Sequence, residues 1–220
     1  MKLFWLSPAG DGWAIADKIR NAGNKVVYYC PDPRNKNGLG LLPRATEANW
    51  EKLAHQSDLV ICDEVFPSRK TARSWLPSDI VQRVTKLQRD GVPYIGPLPT
   101  TELLTNDQRY LQKILRKFSL QWRGGRKTSH TWMTYGVHPY LLLRHKRVWE
   151  CGPEIGNLGD IVIPIDPQSP LAQHFAKFTE FLYSLKHVAP INLRFVARGG
   201  QIEIEACHTG FLYPAIFAQF

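Results

Sequence analysis

The first 29 residues follow a strand, turn, helix, strand order, and this order restricts the possible fold more than any other feature of the sequence. Lys2–Leu6 is a short apolar run that ends in a Gly-rich turn at residues 7–12. Apolar residues then recur at helical spacing from Trp13 to Ala22, and Lys25–Tyr29 is again apolar. Two neighbouring strands joined through a helix almost always lie parallel, with a right-handed crossover. The opening therefore predicts a βαβ unit in a parallel sheet.

Two more strands follow, again with a helix predicted between them. Residues 59–62 form a buried-strand run, residues 79–89 carry apolar side chains at helical spacing, and residues 93–95 form another short apolar run before Gly96 and Pro97. About four parallel strands with intervening helices make a doubly wound α/β domain. We expect this domain to occupy residues 1–100.

The second half, residues 101–220, has a different pattern. A helix is predicted from residue 105, a strand pair at 132–135 and 140–143, a strand at 161–165, and a helix at 170–186. Residues 191–197 and 201–206 are strands separated by Arg-Gly-Gly, which indicates a hairpin. This half is expected to be an α+β domain.

Charge is concentrated in one segment. The chain has 28 Lys and Arg against 19 Asp and Glu, a formal net charge of +9. Residues 109–149 contain no acidic residue and ten cationic ones: Arg109, Lys113, Arg116, Lys117, Arg123, Arg126, Lys127, Arg144, Lys146 and Arg147. A local excess of this kind favours an anionic partner, and phosphate suits Arg and Lys best. Either a small nucleotide or a nucleic-acid backbone would satisfy it.

Three further places are candidate binding sites. Gly10 and Gly12 could bring the backbone close to a ligand, or could simply form a strand-to-helix turn. Asp63 and Glu64 follow a predicted parallel strand, where ligands bind in open α/β sheets, although they could equally cap and solvate a loop. The turn that contains Arg123, Arg126 and Lys127 also has two glycines, a combination suited to an anion.

The last predicted strand carries two carboxylates at alternating positions. Glu203 and Glu205 alternate with Ile202 and Ile204, so both carboxylates point to one face. Such a pair can hold Mg²⁺ between itself and nucleotide phosphates. A solvent-facing edge strand would show the same pattern.

Other classes of protein are disfavoured. The four cysteines form no C-x-x-C pair, which argues against a zinc site or a disulfide framework. The apolar runs are too short to span a bilayer, and the first residues lack the layout of a signal peptide. We expect a cytoplasmic protein that does not enter membranes.

Several of these pieces, taken in order, resemble glycinamide ribonucleotide synthetases (phosphoribosylamine–glycine ligases) of the ATP-grasp superfamily. Residues 91–97 match a G-[IV]-P-x-[IF]-G-P signature of that family. Residues 144–147 resemble its D-H-K-R element, and residues 205–207 stand where the family has E-x-N. The resemblance implies a parallel, pre-ATP-grasp-like N-terminal domain and a reduced ATP-grasp α+β domain with a mainly antiparallel sheet.

The resemblance also implies an activity and its cofactors. An ATP-dependent carboxylate–amine ligase of purine biosynthesis would use ATP and Mg²⁺, a small phosphorylated amine and an amino acid. Lys146 and Arg147 would hold polyphosphate or the acyl phosphate, Arg123, Arg126, Lys127 and Arg144 would bind phosphate, and Glu203 and Glu205 would hold Mg²⁺. Asp63 and Glu64 would meet the ribose of the amine, and Gly10 and Gly12 would approach its phosphate.

The sequence departs from that family in two ways that bear on activity. Most of the lid subdomain is missing between Leu120 and Tyr140, so water would reach the acyl phosphate. Cys207 stands in place of the metal-binding Asn, and a thiol is a poor ligand for Mg²⁺. We therefore expect weak activity or none from the isolated chain.

A non-catalytic protein is the alternative. An ATP-grasp scaffold could use residues 109–149 to dock nucleic acid or an acidic partner. Aromatic residues such as Trp122, Trp132 and Tyr140 interleave with the cations, which suits stacking on single-stranded bases.

Overall fold

The computed structural model describes residues 1–8, 10, 12–32, 34–36, 38–63, 79–123, 131–136, 140–146, 157–164, 168, 170–185, 187, 189, 191–198 and 201–209. The chain divides into two compact units. The first comprises Met1–Glu102 and His187–Ala189, and the second comprises Leu103–Lys186 and Pro190–Phe220.

The first unit contains a parallel four-stranded sheet, as the sequence predicts. Its elements are β1 (Lys2–Leu6), α1 (Trp13–Asn21), β2 (Lys25–Tyr29), α2 (Trp50–His55), β3 (Leu59–Cys62), α3 (Asp79–Arg89) and β4 (Tyr94–Ile95). The strand order is β2-β1-β3-β4, and every neighbouring pair is parallel. This order places β1 inside the sheet, where four of its five residues are buried.

The core of the first unit lies between the sheet and helices α2 and α3. Phe4 and Leu6 of β1 are fully buried there against Trp50 and Ala54 of α2 and against residues of α3. Side chains alternate along a strand, so Leu3 and Trp5, which are also buried, lie on the other face. Burial on both faces explains why the sequence of β1 is a continuous apolar run instead of alternating apolar and polar residues.

Backbone geometry accounts for the glycines of the 91–97 motif. Gly91 has a φ of +87°, a left-handed conformation that ends α3 and that side chains disfavour. A Cβ on Gly96 would lie 2.8 Å from the Cβ of Cys62. The hydroxyl of Tyr94 donates to the carbonyl of Pro97 at 2.9 Å. These parts of the motif therefore shape the turns on either side of β4.

The second unit contains a six-stranded sheet with helices packed on it. Helix α4 (Pro99–Asn106) spans the boundary between the units at residues 102 and 103. The other elements of the second unit are α5 (Gln108–Lys117), β5 (Gln121–Trp122), β6 (Thr131–Gly136), β7 (Tyr140–Lys146), β8 (Asn157–Pro164), α6 (Pro170–Ser184), β9 (Ile191–Arg198) and β10 (Gln201–Thr209). The strand order is β5-β10-β9-β6-β7-β8. β5 pairs parallel with β10, and the other neighbouring pairs are antiparallel, which confirms the mainly antiparallel sheet.

A second core joins α5 and α6 to β9 and β10. Its buried members include Leu111, Leu115, Phe175, Phe195 and Ile204. No helix in the described parts of either unit is long and apolar enough to cross a membrane.

Two features of this unit differ from the sequence-based expectation. The helix expected from residue 105 begins at Gln108 as α5, where the Asp107 carboxylate caps it by accepting the N–H groups of Arg109 and Tyr110 at 2.9 and 3.1 Å, and a separate helix, α4, precedes it. Residues 121 and 122, expected to lead into a turn, instead form the short strand β5. This strand brings Arg123 next to β10.

Candidate functional site

The candidate site is a cluster of three charged side chains, Arg123, Glu203 and Glu205, which we call the Arg123–glutamate cluster. Ile202 and Ile204 of β10 pack into the core with α5 and α6. Glu203 and Glu205 alternate with them and so lie on the opposite face of the strand. The structure therefore puts both carboxylates on the sheet face away from these helices.

Arg123 reaches the same face from the neighbouring strand. Gln121 and Trp122 of β5 are in register with Glu203 and Ile204 of β10. The backbone N–H of Arg123 continues this ladder by donating to the carbonyl of Ile204 at 3.0 Å. Trp122 packs against the core, so the next side chain along the chain, Arg123, points to the face that bears the glutamates.

The distances within the cluster are those of ion pairs. Nη1 of Arg123 lies 3.6 Å from Oε1 of Glu205, and Nε lies 3.8 Å from Oε2 of Glu203. The side chains of Arg123 and Glu205 are 12% and 9% exposed, whereas that of Glu203 is 36% exposed. The cluster thus extends from a nearly buried pair to a carboxylate that solvent can reach.

Carboxylates outnumber cations among the three described side chains of the cluster. Glu203 and Glu205 face one guanidinium in a place with limited access to water, where charges interact more strongly than in bulk solvent. Carboxylate oxygens are ligands for a hard cation such as Mg²⁺, and a guanidinium binds phosphate oxygens. The three side chains therefore combine groups suited to a metal ion and to a phosphate.

A β-bulge interrupts the regular pairing of β10 at Glu205. The pairing of β10 with β9 shifts between Ile204 and Ala206, so that Glu205 has no register partner on β9. A bulge adds one residue to a strand and re-aims the side chains around it, often beside functional sites. After the bulge the alternation is reversed, and Cys207 enters the core instead of joining the two glutamates.

Cys207 is therefore not placed as a metal ligand. It is 3% exposed, and burial raises the pKa of its thiol far above the ordinary value, so it stays protonated. Among the described residues no group of three or more His, Cys, Asp and Glu side chains could enclose a metal ion. Two carboxylates still suit Mg²⁺, which prefers oxygen ligands and completes its shell with water and phosphate oxygens.

In the first unit, Gly10 and Gly12 form a turn held together by Ser7. The Ser7 hydroxyl accepts the N–H of Gly12 at 3.0 Å, and the Ser7 carbonyl accepts the N–H of Gly10 at 3.1 Å. Gly10 has a φ of +81°, and a Cβ there would collide with the Asn35 side chain. The turn thus requires a glycine at position 10, and both glycine N–H groups are used within it.

Asp63 is fully buried at the end of β3. Its Oδ2 accepts the indole N–H of Trp5 at 2.8 Å, and its own N–H donates to the carbonyl of Leu6 at 3.2 Å. These bonds tie the carboxyl ends of β1 and β3 together. The arrangement gives Asp63 a structural role where these two strands end.

The remaining site residues named from the sequence are not placed by the structure. Glu64, Arg126, Lys127 and Arg147 lie outside the described residues. Arg144 and Lys146 belong to β7, where their backbones pair with Asp160 and Asn157 of β8 and their side chains are not described. Their roles stay predictions.

Comparison with known proteins identifies the fold. No family model and no curated protein matches the chain. Among solved structures, N5-carboxyaminoimidazole ribonucleotide synthetase from Thermus thermophilus is similar over 93% of this chain and 70% of its own, with a TM-score of 0.58 and 11% identity. N5-carboxyaminoimidazole synthetase from Staphylococcus aureus, complexed with ADP, gives a TM-score of 0.58 at 10% identity, with 94% of this chain and 69% of its own covered.

A third similar structure comes from a different ATP-grasp ligase. D-alanine–D-alanine ligase from Bacillus anthracis, complexed with ATP, is similar over 95% of this chain and 86% of its own, with a TM-score of 0.55 and 9% identity. These structures share the ATP-grasp fold, and this chain has the same fold.

Proposed function

We propose that this chain is an ATP-dependent ligase that joins a carboxylate to an amine through an acyl phosphate. The observation that supports this proposal best is the Arg123–glutamate cluster on the face of β5 and β10 opposite α5 and α6, within an ATP-grasp fold. An isolated pair of glutamates on a strand would be ordinary. Two carboxylates beside a nearly buried arginine on one face suit a site for a metal and a phosphate chain.

Glu203 and Glu205 are the residues that would hold Mg²⁺, because their oxygens are hard ligands on one face of one strand. When bound, the ion would supply positive charge to the phosphate oxygens. Arg123 already lies within 3.8 Å of both carboxylates, so its guanidinium is placed to contact a phosphate held beside them.

The proposed reaction has two steps. A carboxylate oxygen attacks the terminal phosphorus of ATP, and ADP leaves, which gives an acyl phosphate. The amine nitrogen then attacks the acyl carbon, loses a proton, and expels phosphate. Holding the reactants together and neutralising phosphate charge account for most of the rate in such chemistry. We assign this work to Arg123 and, as predictions from the sequence, to Lys146 and Arg147.

Within this class we propose a phosphoribosylamine–glycine ligase type, with a small phosphorylated amine and an amino acid such as glycine as substrates. The support is the sequence resemblance through residues 91–97 and the ribonucleotide named in the similar enzyme from Thermus thermophilus. Because Asp63 is buried against Trp5, we assign it a positioning role. Glu64 remains the residue proposed to meet the amine.

Trapping with hydroxylamine tests the proposal without knowledge of the amine. Hydroxylamine replaces the amine as nucleophile and converts the acyl phosphate to a hydroxamate, which is measured colorimetrically. We expect slow, ATP-dependent hydroxamate formation with glycine or another small carboxylate. The Glu205→Gln variant should abolish it, and Glu180→Gln, on an exposed part of α6, should leave it unchanged.

Two outcomes would contradict the proposal. If a panel of amino and carboxylic acids gives no hydroxamate above the Glu205→Gln background, the chain does not make an acyl phosphate, and a non-catalytic ATP-grasp protein is the better account. If Glu205→Gln and Glu180→Gln lower the yield equally, the Arg123–glutamate cluster is not the site.

A further inference from the structure

Helix α5 presents a face of four exposed cations. Arg109, Lys113, Arg116 and Lys117 are all exposed, while Leu111, Ile114 and Leu115 on the other side are buried in the core of the second unit. The positions recur at three- and four-residue intervals, so the cations form one stripe along the helix. We call these four residues the α5 basic stripe.

The stripe has no acidic counterpart in the described part of the chain. None of its four side chains lies within 4 Å of a described carboxylate. The nearest acid in sequence, Asp107, accepts the first N–H groups of the helix. With respect to the described residues, the stripe is therefore a surface of positive charge without paired carboxylates.

Helix stability explains only part of this arrangement. Arg116 and Lys117 lie in the last turn, where the helix dipole favours cations. Arg109 lies in the first turn, where the dipole disfavours a cation. Lys113 has a like charge four residues away in both directions, and such pairs destabilise a helix by about 0.2–0.5 kcal/mol each. A ligand that uses the charges would account for Arg109 and Lys113.

We propose that the α5 basic stripe binds the phosphodiester backbone of a nucleic acid. Protein interfaces are centred on aromatic or aliphatic anchors, and the exposed positions of α5 carry the four cations and Gln108 only. A surface of cations and amides matches phosphate contacts instead. With a rise of 1.5 Å per residue the stripe is about 12 Å long. A duplex carries about seven phosphates over that length.

This inference is independent of the ligase proposal. The stripe belongs to the outer face of α5, whereas the Arg123–glutamate cluster lies on strands β5 and β10. A chain without ligase activity could still bind nucleic acid, and the reverse is also true.

The salt dependence of oligonucleotide binding tests the inference. Fluorescence anisotropy with labelled 20-nucleotide single-stranded DNA, single-stranded RNA and duplex DNA, at 50 to 200 mM salt, gives the slope of log K against log salt. Four phosphate contacts predict a slope of about −3.6 for a duplex and about −2.8 for single strands. The arm with the tightest binding identifies the nucleic acid.

A matched pair of variants separates the stripe from overall charge. Lys113→Gln/Arg116→Gln should flatten the duplex slope by about 1.8, because two contacts are lost. Lys86→Gln/Arg89→Gln removes the same two residue types at the same spacing from exposed positions of α3, and should leave the slope unchanged.

Three results would overturn the inference. Equal losses in both double variants would mean that only net charge matters. No binding by the unmodified protein at 50 mM salt would mean that the stripe is merely solvated. Displacement of the oligonucleotide by polyglutamate at equal charge concentration would point to an acidic protein partner instead.

Discussion

The environment of Arg123 could be predicted only in part from the sequence. Its place in a Gly-rich cationic turn predicts an anion site, and the alternation of Glu203 and Glu205 predicts two carboxylates on one face. That the three side chains form one cluster is visible only in the structure. The contact joins residues about 80 positions apart through the pairing of β5 with β10, and local sequence patterns do not encode such pairing.

The surroundings of the Cys207 and Asp63 side chains also depend on strand pairing and tertiary contacts, which local sequence patterns do not show. Alternation along β10 predicts Cys207 on the same face as Glu203 and Glu205, but the bulge at Glu205 turns it into the core. Asp63 follows a strand where ligands often bind, and its carboxylate is buried and accepts the indole N–H of Trp5. A role of Asp63 toward a ligand stays a prediction. The position of Cys207 depends on the register of the β9–β10 hairpin, and the contact of Asp63 depends on a residue 58 positions away.

The buried bond between Asp63 and Trp5 leads to a prediction about stability. Asp63→Ala leaves the indole N–H without this acceptor inside the unit, which costs about 1–3 kcal/mol. Asp63→Asn keeps a carbonyl oxygen in reach, so its loss should be smaller. Urea unfolding of the two variants measures the difference. Equal unfolding free energies for Ala and Asn would show that the bond to Trp5 does not stabilise the first unit.

At the scale of elements, patterns of apolar residues predict most helices and strands, because burial decides both. The parallel strands of the first unit and the β9–β10 hairpin lie where periodicity and turn residues put them. The break between α4 and α5 depends on the side-chain cap of Asp107, and β5 has only two residues. A cap and a two-residue strand leave almost no periodic signal.

Helices α2 and α3 are joined by one arginine. Arg83 of α3 pairs with Glu51, and its Nη1 lies 2.7 Å from Oε1 of Glu47. Its guanidinium carbon is 4.6 Å from the centre of a Trp50 ring. The hydroxyl of Tyr29 also donates to Glu47. This group fastens the helices to the edge of the sheet at β2.

The contribution of these contacts to stability depends on pH through the Glu47 carboxyl group. Partial burial works against its ionisation, but hydrogen bonds from Tyr29 and Arg83 outweigh it and hold the pKa of Glu47 below its ordinary value of 4.5. A carboxyl with a lowered pKa stabilises the folded state above its unfolded pKa, and that stability is lost as the pH falls through the folded value.

The corresponding prediction is a shallower acid dependence in Glu47→Gln. Urea midpoints measured from pH 6 to pH 3 should fall less steeply below about pH 4.5 in this variant than in the unmodified protein. Glu180→Gln, which removes an exposed carboxylate from α6, serves as the control. Identical acid profiles for Glu47→Gln and the unmodified chain would contradict the assigned bonds.

At the scale of the whole molecule, the order of motifs along the chain predicts an ATP-grasp architecture, and the similarity to solved structures supports that fold at about 10% identity. Proteins can share a fold at such low identity because the fold depends on the layering of apolar faces more than on particular residues. The chemistry depends on particular residues, so the site has to be tested directly.

The most direct test is an isothermal titration of the unmodified protein with ATP, in excess magnesium and again in EDTA. If Glu203 and Glu205 hold the metal and Arg123 contacts the phosphates, the protein should bind Mg-ATP at millimolar concentration or below, and should not bind ATP once the metal is removed. Glu203→Gln/Glu205→Gln should weaken binding of Mg-ATP at least tenfold, a loss of about 1.4 kcal/mol. No heat at millimolar Mg-ATP, or equal heat in EDTA, would contradict the assignment of Arg123, Glu203 and Glu205 as the nucleotide site.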